Sequence, residues 1–249
     1  MEFKSGPIRL SVGAKPRDPA ADRATLQAIE AKLQADEVEA AITMAEAALA
    51  QGLEHPLTLN LVAEHLESQE RFAEALVLLE RGHRIAPDDL GLRQALGLCL
   101  FRLQRFGPAL PHFDAMIAAE PDFAPSHAAR GAALEALGRV EEAEAAFRQA
   151  VELQPDNLLA VAGLASTASR ANRHAEARGF AEQVLAVEPG FPDAVIVLAR
   201  ADLADGDYPA SETRLQAVLA DSRTPEAQRT VANGLLTDIA KAKDRKFDA

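Results

Sequence analysis

Six histidines, a single cysteine and a surplus of carboxylates are what this chain offers to chemistry, so their types and spacing come first. His55, His65, His83, His112, His127 and His174 include no pair four residues apart, so no helix carries two imidazoles on one face to chelate a metal. Asp202, Asp205 and Asp207 surround Gly206 in the manner of a calcium loop. The alternating ligands and the glutamate at the twelfth position are missing, and an inter-helix turn is the better reading. Glu64 with Glu67, and Glu141 with Glu142, are carboxylate pairs on helical stretches of an acidic chain, where they serve solvation. Cys99, flanked by Leu98 and Leu100 with no histidine near in sequence, reads as a buried structural thiol. Phosphate-loop, dinucleotide and zincin motifs are absent from the sequence. The expectation is a chain with no catalytic residue, no metal and no cofactor, whose work is binding.

Charge narrows what it binds. The 249 residues carry a formal charge of −12, although residues 1–21 set Lys4, Arg9, Lys15 and Arg17 against only Glu2 and Asp18. An acidic body repels a polyanion, so no nucleic-acid partner is expected. The longest uncharged stretch, Asn157 to Ser169, falls short of the roughly 20 apolar residues of a membrane span. The N-terminus lacks the apolar core of a signal peptide, and one cysteine rules out an intrachain disulfide. These features point to a cytoplasmic protein that binds neither membrane nor nucleic acid.

The elements that must position any binding surface announce themselves by repetition. Alanine recurs at Ala41, Ala75, Ala109, Ala143 and Ala177, and proline at Pro87, Pro121, Pro155 and Pro189, both every 34 residues. A fixed period in the range of about 20–50 residues marks one supersecondary unit copied and stacked along a shared core. The alanine- and leucine-rich composition makes those units helical. Composition predicts a flexible lead-in over 1–21, in which Phe3, Ile8, Leu10 and Val12 offer the alternative of an extended segment laid against an exposed helix or groove. Six units then follow at 22–55, 56–89, 90–123, 124–157, 158–191 and 192–223. Position 20 of each unit is small, and position 8 is Ile29, Ala63, Gly97, Gly131, Ala165 and Ala199; small residues at both let the paired helices approach closely. Gly138, Asn172 and Gly206 at position 15 suit the left-handed conformation that ends a helix. Asp88, Asp122 and Asp156, just after the prolines, are expected to cap the following helices.

Leu96, Gly97, Leu100, Ala109, Phe113 and Pro121 in one unit, and Gly131, Leu134, Ala143, Phe147, Ala150 and Pro155 in the next, carry a pattern that resembles the tetratricopeptide repeat. The likeness covers residues 22–223, with Leu53 and Arg223 in place of proline in the outer units. It implies an all-α fold: an α-solenoid, wound as a right-handed superhelix, of about six helix-turn-helix units plus a C-terminal helix. It also implies that the first helices line a concave groove, with positions 2, 5, 9, 12 and 13 facing inward. On this chain those positions place Asn60, Glu64 and Glu67, then Gln94, Leu98, Phe101 and Arg102, in the groove. Next come Ala128, Ala132 and Glu135, then Ser166, Ser169 and Arg170, then Ile196, Arg200 and Leu203. Position 6 is Leu61, Ala95, Ala129, Gly163 and Val197, so the polar clamp for a chaperone C-terminus and the asparagine ladder of nuclear glycosyltransferases are both missing. The expected occupant is a protein or peptide segment, with Leu98 and Phe101 as apolar anchors and Arg170 and Arg200 giving orientation. Arg130 breaks the apolar column of Val62, Leu96, Leu164 and Leu198, and Glu144 or another acid on the adjoining second helix is its expected partner.

After Arg223 the period slips: Thr224-Pro225-Glu226 reads as a helix start, and placing Leu236 at position 7 delays the phase by about four residues. Asp244, Arg245 and Phe247 then fall in an inter-helix turn, and Ala249 at position 20. Residues 224–249 are a capping helix or a truncated seventh unit. The passage from Leu215 to Ala249, with Leu219-Ala220-Asp221, Pro225, Arg229 and Gly234-Leu235-Leu236, is similar to the repeat region preceding the catalytic domain of bacterial sulfotransferases; such regions also precede glycosyltransferase domains. That likeness implies an alternative role, recruiting substrate for a larger bacterial transferase whose catalytic domain is not in this sequence.

Overall fold

A computed structural model describes residues 18–247, with side chains as far as Lys243. The expectations placed on Phe3, Ile8, Leu10, Val12 and Ala249 lie outside the described residues. Among those described, thirteen α-helices and no strand make the fold all-α. The chain divides into two compact units, the first ending at His112 and the second beginning at Phe113. The first holds α1 (Pro19–Gln34), α2 (Val38–Ala50), α3 (Pro56–Ser68), α4 (Phe72–Ile85) and α5 (Leu90–Arg102). The division falls inside α6 (Phe106–Ala119). The second unit continues with α7 (Ala124–Ala136), α8 (Val140–Leu153), α9 (Leu158–Arg170), α10 (His174–Val187), α11 (Pro192–Ala204), α12 (Tyr208–Ala220) and α13 (Glu226–Phe247).

Local chemistry sets the helix ends, and it departs from the sequence reading in three places. Pro19 opens α1 and Asp18 accepts a hydrogen bond from the Ala20 amide at 3.0 Å, so residues 18–21 belong to a capped helix and not to the lead-in. The caps of α5 and α9 are Asp89, taking the Leu92 amide at 3.0 Å, and Asn157, taking that of Ala160 at 3.0 Å. Asp88 and Asp156 stand one residue too early to reach those amides, and Phe123, in the place after Asp122, makes no side-chain cap. The third departure concerns α13. It starts at residue 226, which is 34 residues after Pro192, so the period does not slip. Ala232, fully buried, occupies the place that Leu198 holds in α11. The helix then runs unbroken through 244–247, where an inter-helix turn was expected. Gly234-Leu235-Leu236 imitates the repeat signature, but the stripe that packs is Ala232, Leu235, Leu236 and Ile239 at helical spacing.

Position 15 carries a constraint wider than its glycines. Asp36, Glu70, Gln104 and Asn172 have φ of 59°, 59°, 57° and 58°, alongside Gly138 at 76° and Gly206 at 80°. Every first helix of the six pairs therefore ends in the left-handed region, whatever residue stands there. Second helices begin with another recurrent device. Arg71, Arg139 and Arg173 at the N-cap reach forward to Glu74, Glu142 and Glu176, with N···O distances of 2.7, 2.6 and 2.8 Å.

Inside each unit the repeated small residues do the packing. Ala41, Ala75, Ala109, Ala143 and Ala177 are fully buried, and Ser211 takes their place in the last pair by donating its hydroxyl to the Ala199 carbonyl at 2.8 Å. Phe147, 1% exposed, lies against the backbones of Gly131 and Gly163: a Cβ on Gly131 would stand 2.7 Å from the ring, and one on Gly163 would run into it. Neighbouring first helices pack on one another, α3 on α5 in the first unit, and α7 on α9, α9 on α11 and α11 on α13 in the second. Within each unit, the packed first helices form the face on which that unit's groove positions lie.

Candidate functional site

In the first unit a hollow of about 230 Å³ opens between α3 and α5, walled by Asn60, Glu64, Glu67, Gln94 and Leu98 among others. Leu98 is the exposed apolar side chain there, at 42%. Phe101 is half-buried and its ring packs edge-on against Phe106, with centroids 5.1 Å apart, so it is committed within the fold rather than offered as a second apolar anchor. Arg102 is exposed. Glu67 holds its Oε1 atom buried with no hydrogen-bond partner. Burial pushes its carboxyl above the usual range, against the Cys99 thiol and the Arg102 charge, which pull it down. Burial, reinforced by Glu67, pushes the Cys99 thiol up to about 12, and its Sγ–H donates to the Phe72 carbonyl at 3.3 Å. Such a thiol is protonated and unreactive at neutral pH.

In the second unit a hollow of about 370 Å³ lies on α9 and α11 and is closed by α13. Ser166, Ser169, Arg170 and Arg200 line it, joined by Asp193, Ile196, Val197 and Val231. Ser166 donates its hydroxyl to Glu135 Oε1, and Arg170 Nη1 lies 3.4 Å from the Glu135 carbonyl oxygen and 3.9 Å from its carboxylate. Asp193 accepts the Gln228 amide on both oxygens, at 3.1 and 3.2 Å. Burial raises the carboxyls of Glu135 and Asp193 above their ordinary range, opposed by the hydrogen bonds from Ser166 and Gln228. Two groups lining the hollow remain unspent, Ser169 Oγ and Arg200 Nε, both buried with no partner; Gln228 Oε1, on the residue that holds Asp193, is a third such atom beside it. Ala132 is half-buried, whereas Ala128 is only 1% exposed and belongs to the core rather than to the face. Ser169 and Ile196, at 5% and 6%, floor the hollow more than they face solvent.

The remaining polar residues singled out by sequence are used up in structure. Arg130 pairs with Asp114 of α6 at 2.6 Å, because Glu144 is already taken by Arg148 at 2.7 Å and by Arg173 at 2.5 Å. Asp202 and Asp205 both bind Arg178 at 2.8 Å, and Asp207 caps α12 through the Ala210 amide. His83 and His112 meet edge-on at 5.5 Å, and burial, then the charges of His83 and Arg93, lower the affinity of His112 for a proton. Among the described residues no three histidine, cysteine or acidic side chains gather as metal donors, and no helix is long and apolar enough to cross a membrane.

Sequence reasoning missed Asp193, Gln228 and Val231. Asp193 stands at position 2 of its unit, so carrying that column through to α11 finds it. Gln228 and Val231 stand at positions 3 and 6 counted from the start of α13, outside the columns taken to face inward, so even the correct phase does not single them out. Gly91, at position 2 of the third unit, lines the first hollow and was missed in the same way as Asp193.

Family models described as tetratricopeptide repeat match residues 66–133 and 168–234, residues 124–157, and residues 26–90. No curated protein sequence matches the chain. Among solved structures, MamA (residues 41 to the end) from Desulfovibrio magneticus RS-1 superposes with a TM-score of 0.59 at 19% identity, over 68% of this chain and 96% of that one. TTC0263, a thermophilic repeat protein of Thermus thermophilus, gives 0.59 at 19% identity over 73% and 99%. YrrB, titled a protein of this kind with an unusual peptide-binding site, gives 0.55 at 16% identity over 77% and 96%. At these identities the structures share the fold, and none of the matches supports the transferase likeness of residues 215–249.

Proposed function

This chain belongs to the tetratricopeptide repeat family, and on that premise we propose that its first-helix face binds an extended segment of a partner protein. One contrast carries the reading. On the second helices α8 and α10, Glu144, Arg148, Arg173 and Glu176 satisfy one another in a closed set of ion pairs, and among the described residues the buried atoms left unpartnered on second helices are single ring nitrogens, His83 Nδ1 on α4 and His174 Nδ1 on α10. On the first helices, both hollows hold polar atoms without partners: Glu67 Oε1 in one, Ser169 Oγ and Arg200 Nε in the other. In proteins generally, buried polar groups are paired, and unpaired ones lining a hollow are met by a ligand or by water. The exposed Leu98 supplies apolar contact beside them. The net charge of −12 favours a protein over a nucleic acid as partner, and the lone buried cysteine suits a cytoplasmic setting. A fold neighbour whose title describes a peptide-binding site supports the class of ligand.

The test is capture of partners by the wild type and by the double variant Leu98→Asp, Arg170→Glu, with Arg148→Glu on a second helix as control. Partners identified by mass spectrometry are expected to be lost from the double variant and kept by the control. Wild-type capture by a double variant whose helical circular dichroism is unchanged dismisses the first-helix face.

A further inference from the structure

The hollow between α9, α11 and α13 differs from the rest of the charged surface in what it leaves over. The chain has 38 acidic against 26 basic residues, and many of its arginines find carboxylates: Arg139, Arg148, Arg173, Arg178 and Arg214 each hold one within 3 Å, while Arg93, whose Nε is likewise buried without an acceptor, reaches the Pro87 carbonyl through Nη2. Arg200 holds none among the described residues, and its Nε is buried without an acceptor. A guanidinium presents five N–H donors in a fixed fork and accepts nothing, so what is missing at Arg200 is an acceptor.

Ser169 tells the same story independently. It is 5% exposed and its Oγ has no partner. Other hydroxyls within helices find acceptors: Thr167 turns back to the Gly163 carbonyl, Thr213 to that of Pro209 and Thr237 to that of Asn233, each at 2.9 Å, while Ser166 and Ser211 reach neighbouring helices. Ser169 makes no such bond and lines the hollow instead. The carboxylates already present bond elsewhere, Asp193 to Gln228 and Glu135 to Ser166, and neither reaches Arg200 or Ser169. Ile196, Val197 and Val231 supply an aliphatic wall beside the donors.

We infer that this hollow anchors an aspartate or glutamate side chain of an extended partner segment, gripped by the Arg200 guanidinium and the Ser169 hydroxyl, with Arg170 at the rim and aliphatic residues flanking the acid on Ile196 and Val231. The inference rests on the first-helix face being a peptide site. It assigns α13 a share in that site through Gln228, which holds Asp193 back, and through Val231. The small side chains of Ser166 and Ala132 leave room toward α7 for the segment to continue, which fits a side chain within a segment rather than a chain end.

The test pans random dodecapeptides, displayed with their C-termini fused so that no free α-carboxylate is present, against the full chain. Wild type is compared with Arg200→Gln, Arg200→Lys, Ser169→Ala and the groove variant Leu98→Asp, Arg170→Glu. Wild type is expected to enrich peptides with aspartate or glutamate between aliphatic residues. Changing that acid to its amide in a synthetic, C-terminally amidated peptide should weaken binding about tenfold or more, as should Arg200→Gln. Arg200→Lys should restore part of the loss, since it keeps the charge without the fork. Ser169→Ala should weaken binding severalfold while melting no lower than wild type, because the hydroxyl it removes has no partner. Selected peptides without acidic enrichment, or acidic peptides that bind Arg200→Gln and Ser169→Ala as tightly as wild type, overturn the carboxylate anchor while binding lost in the groove variant keeps the peptide site standing. Affinity for a peptide's free C-terminal acid but not for its amide likewise overturns the side-chain anchor. Failure to enrich any peptide over a heat-unfolded control overturns both.

Discussion

Two residues one half-turn apart on α11 meet opposite fates, and the difference is physical. Arg200 is buried at Nε without an acceptor, whereas Asp202, with only 7% of its side chain exposed, is gripped by Arg178 Nη1 at 2.8 Å and Arg214 Nε at 2.7 Å. Burial opposes ionisation of Asp202, but the two arginine hydrogen bonds outweigh it and hold its carboxyl below the usual carboxylate range. A folded-state pKa below the unfolded value of about 3.9 contributes stability that is fully present above that value and lost as pH falls through the folded pKa. Asp202→Asn should therefore cost about 2–3 kcal/mol at neutral pH, less than a fully buried pair because both arginines are about a third exposed. Urea unfolding followed from pH 7 downward should show the gap between variant and wild type closing below about pH 4. A gap independent of pH would assign the cost to packing. In the sequence Asp202 was legible as a turn-flanking acid and no more, since Arg178, its partner 24 residues earlier, comes close only through the stacking of α10 on α11.

At the scale of helices and turns, what the sequence displays depends on whether a constraint selects a residue type. The left-handed turn at position 15 was visible at Gly138, Asn172 and Gly206, yet Asp36, Glu70 and Gln104 adopt it too and leave no compositional trace. Those three carry a Cβ in a region that costs an L-residue roughly 1–2 kcal/mol, partly offset by the greater chain entropy glycine loses on folding. Gln104→Gly should accordingly raise stability by about 0.5–1 kcal/mol, read as an upward shift of the urea midpoint at constant slope. No gain would mean that the Gln104 side chain supplies compensating contacts. The same logic explains the caps and α13. Asp88 and Asp156 are eye-catching after proline, but capping demands a place two or three residues before the amide that donates, and Asp89 and Asn157 stand there. Helix α13 was misphased because Leu235 and Leu236 are larger than Ala232, while burial at the α11 contact favours the small residue.

For the molecule as a whole, the 34-residue beat told the fold class, because close packing at positions 8 and 20 favours small side chains and so recurs in the sequence, with the fully buried Ile29 at position 8 of the first pair as the exception. It told less of the candidate site, because a hollow is made by side chains from successive helices whose polar balance is settled only after packing. Arg200, Ser169 and Ser166 were legible as a column on one face; that Arg200 lacks an acid and that Asp193 is engaged by Gln228 were not. The second compact unit contains both of those facts entirely, along with the packed series α7, α9, α11 and α13. Stacked repeats draw their stability from nearest neighbours, and about three of them are enough to fold. The fragment 106–249, which keeps α6 whole, should therefore unfold cooperatively, with a urea slope about three-fifths that of the full chain, in proportion to the surface it buries. It should bind the acidic peptide selected above within about twofold of the full chain, a limit set by the absence of first-unit residues from that hollow. A fragment that melts without cooperativity would show that the second unit needs the first in order to fold. A folded fragment with much weaker binding would show that residues before α6 take part in holding the segment.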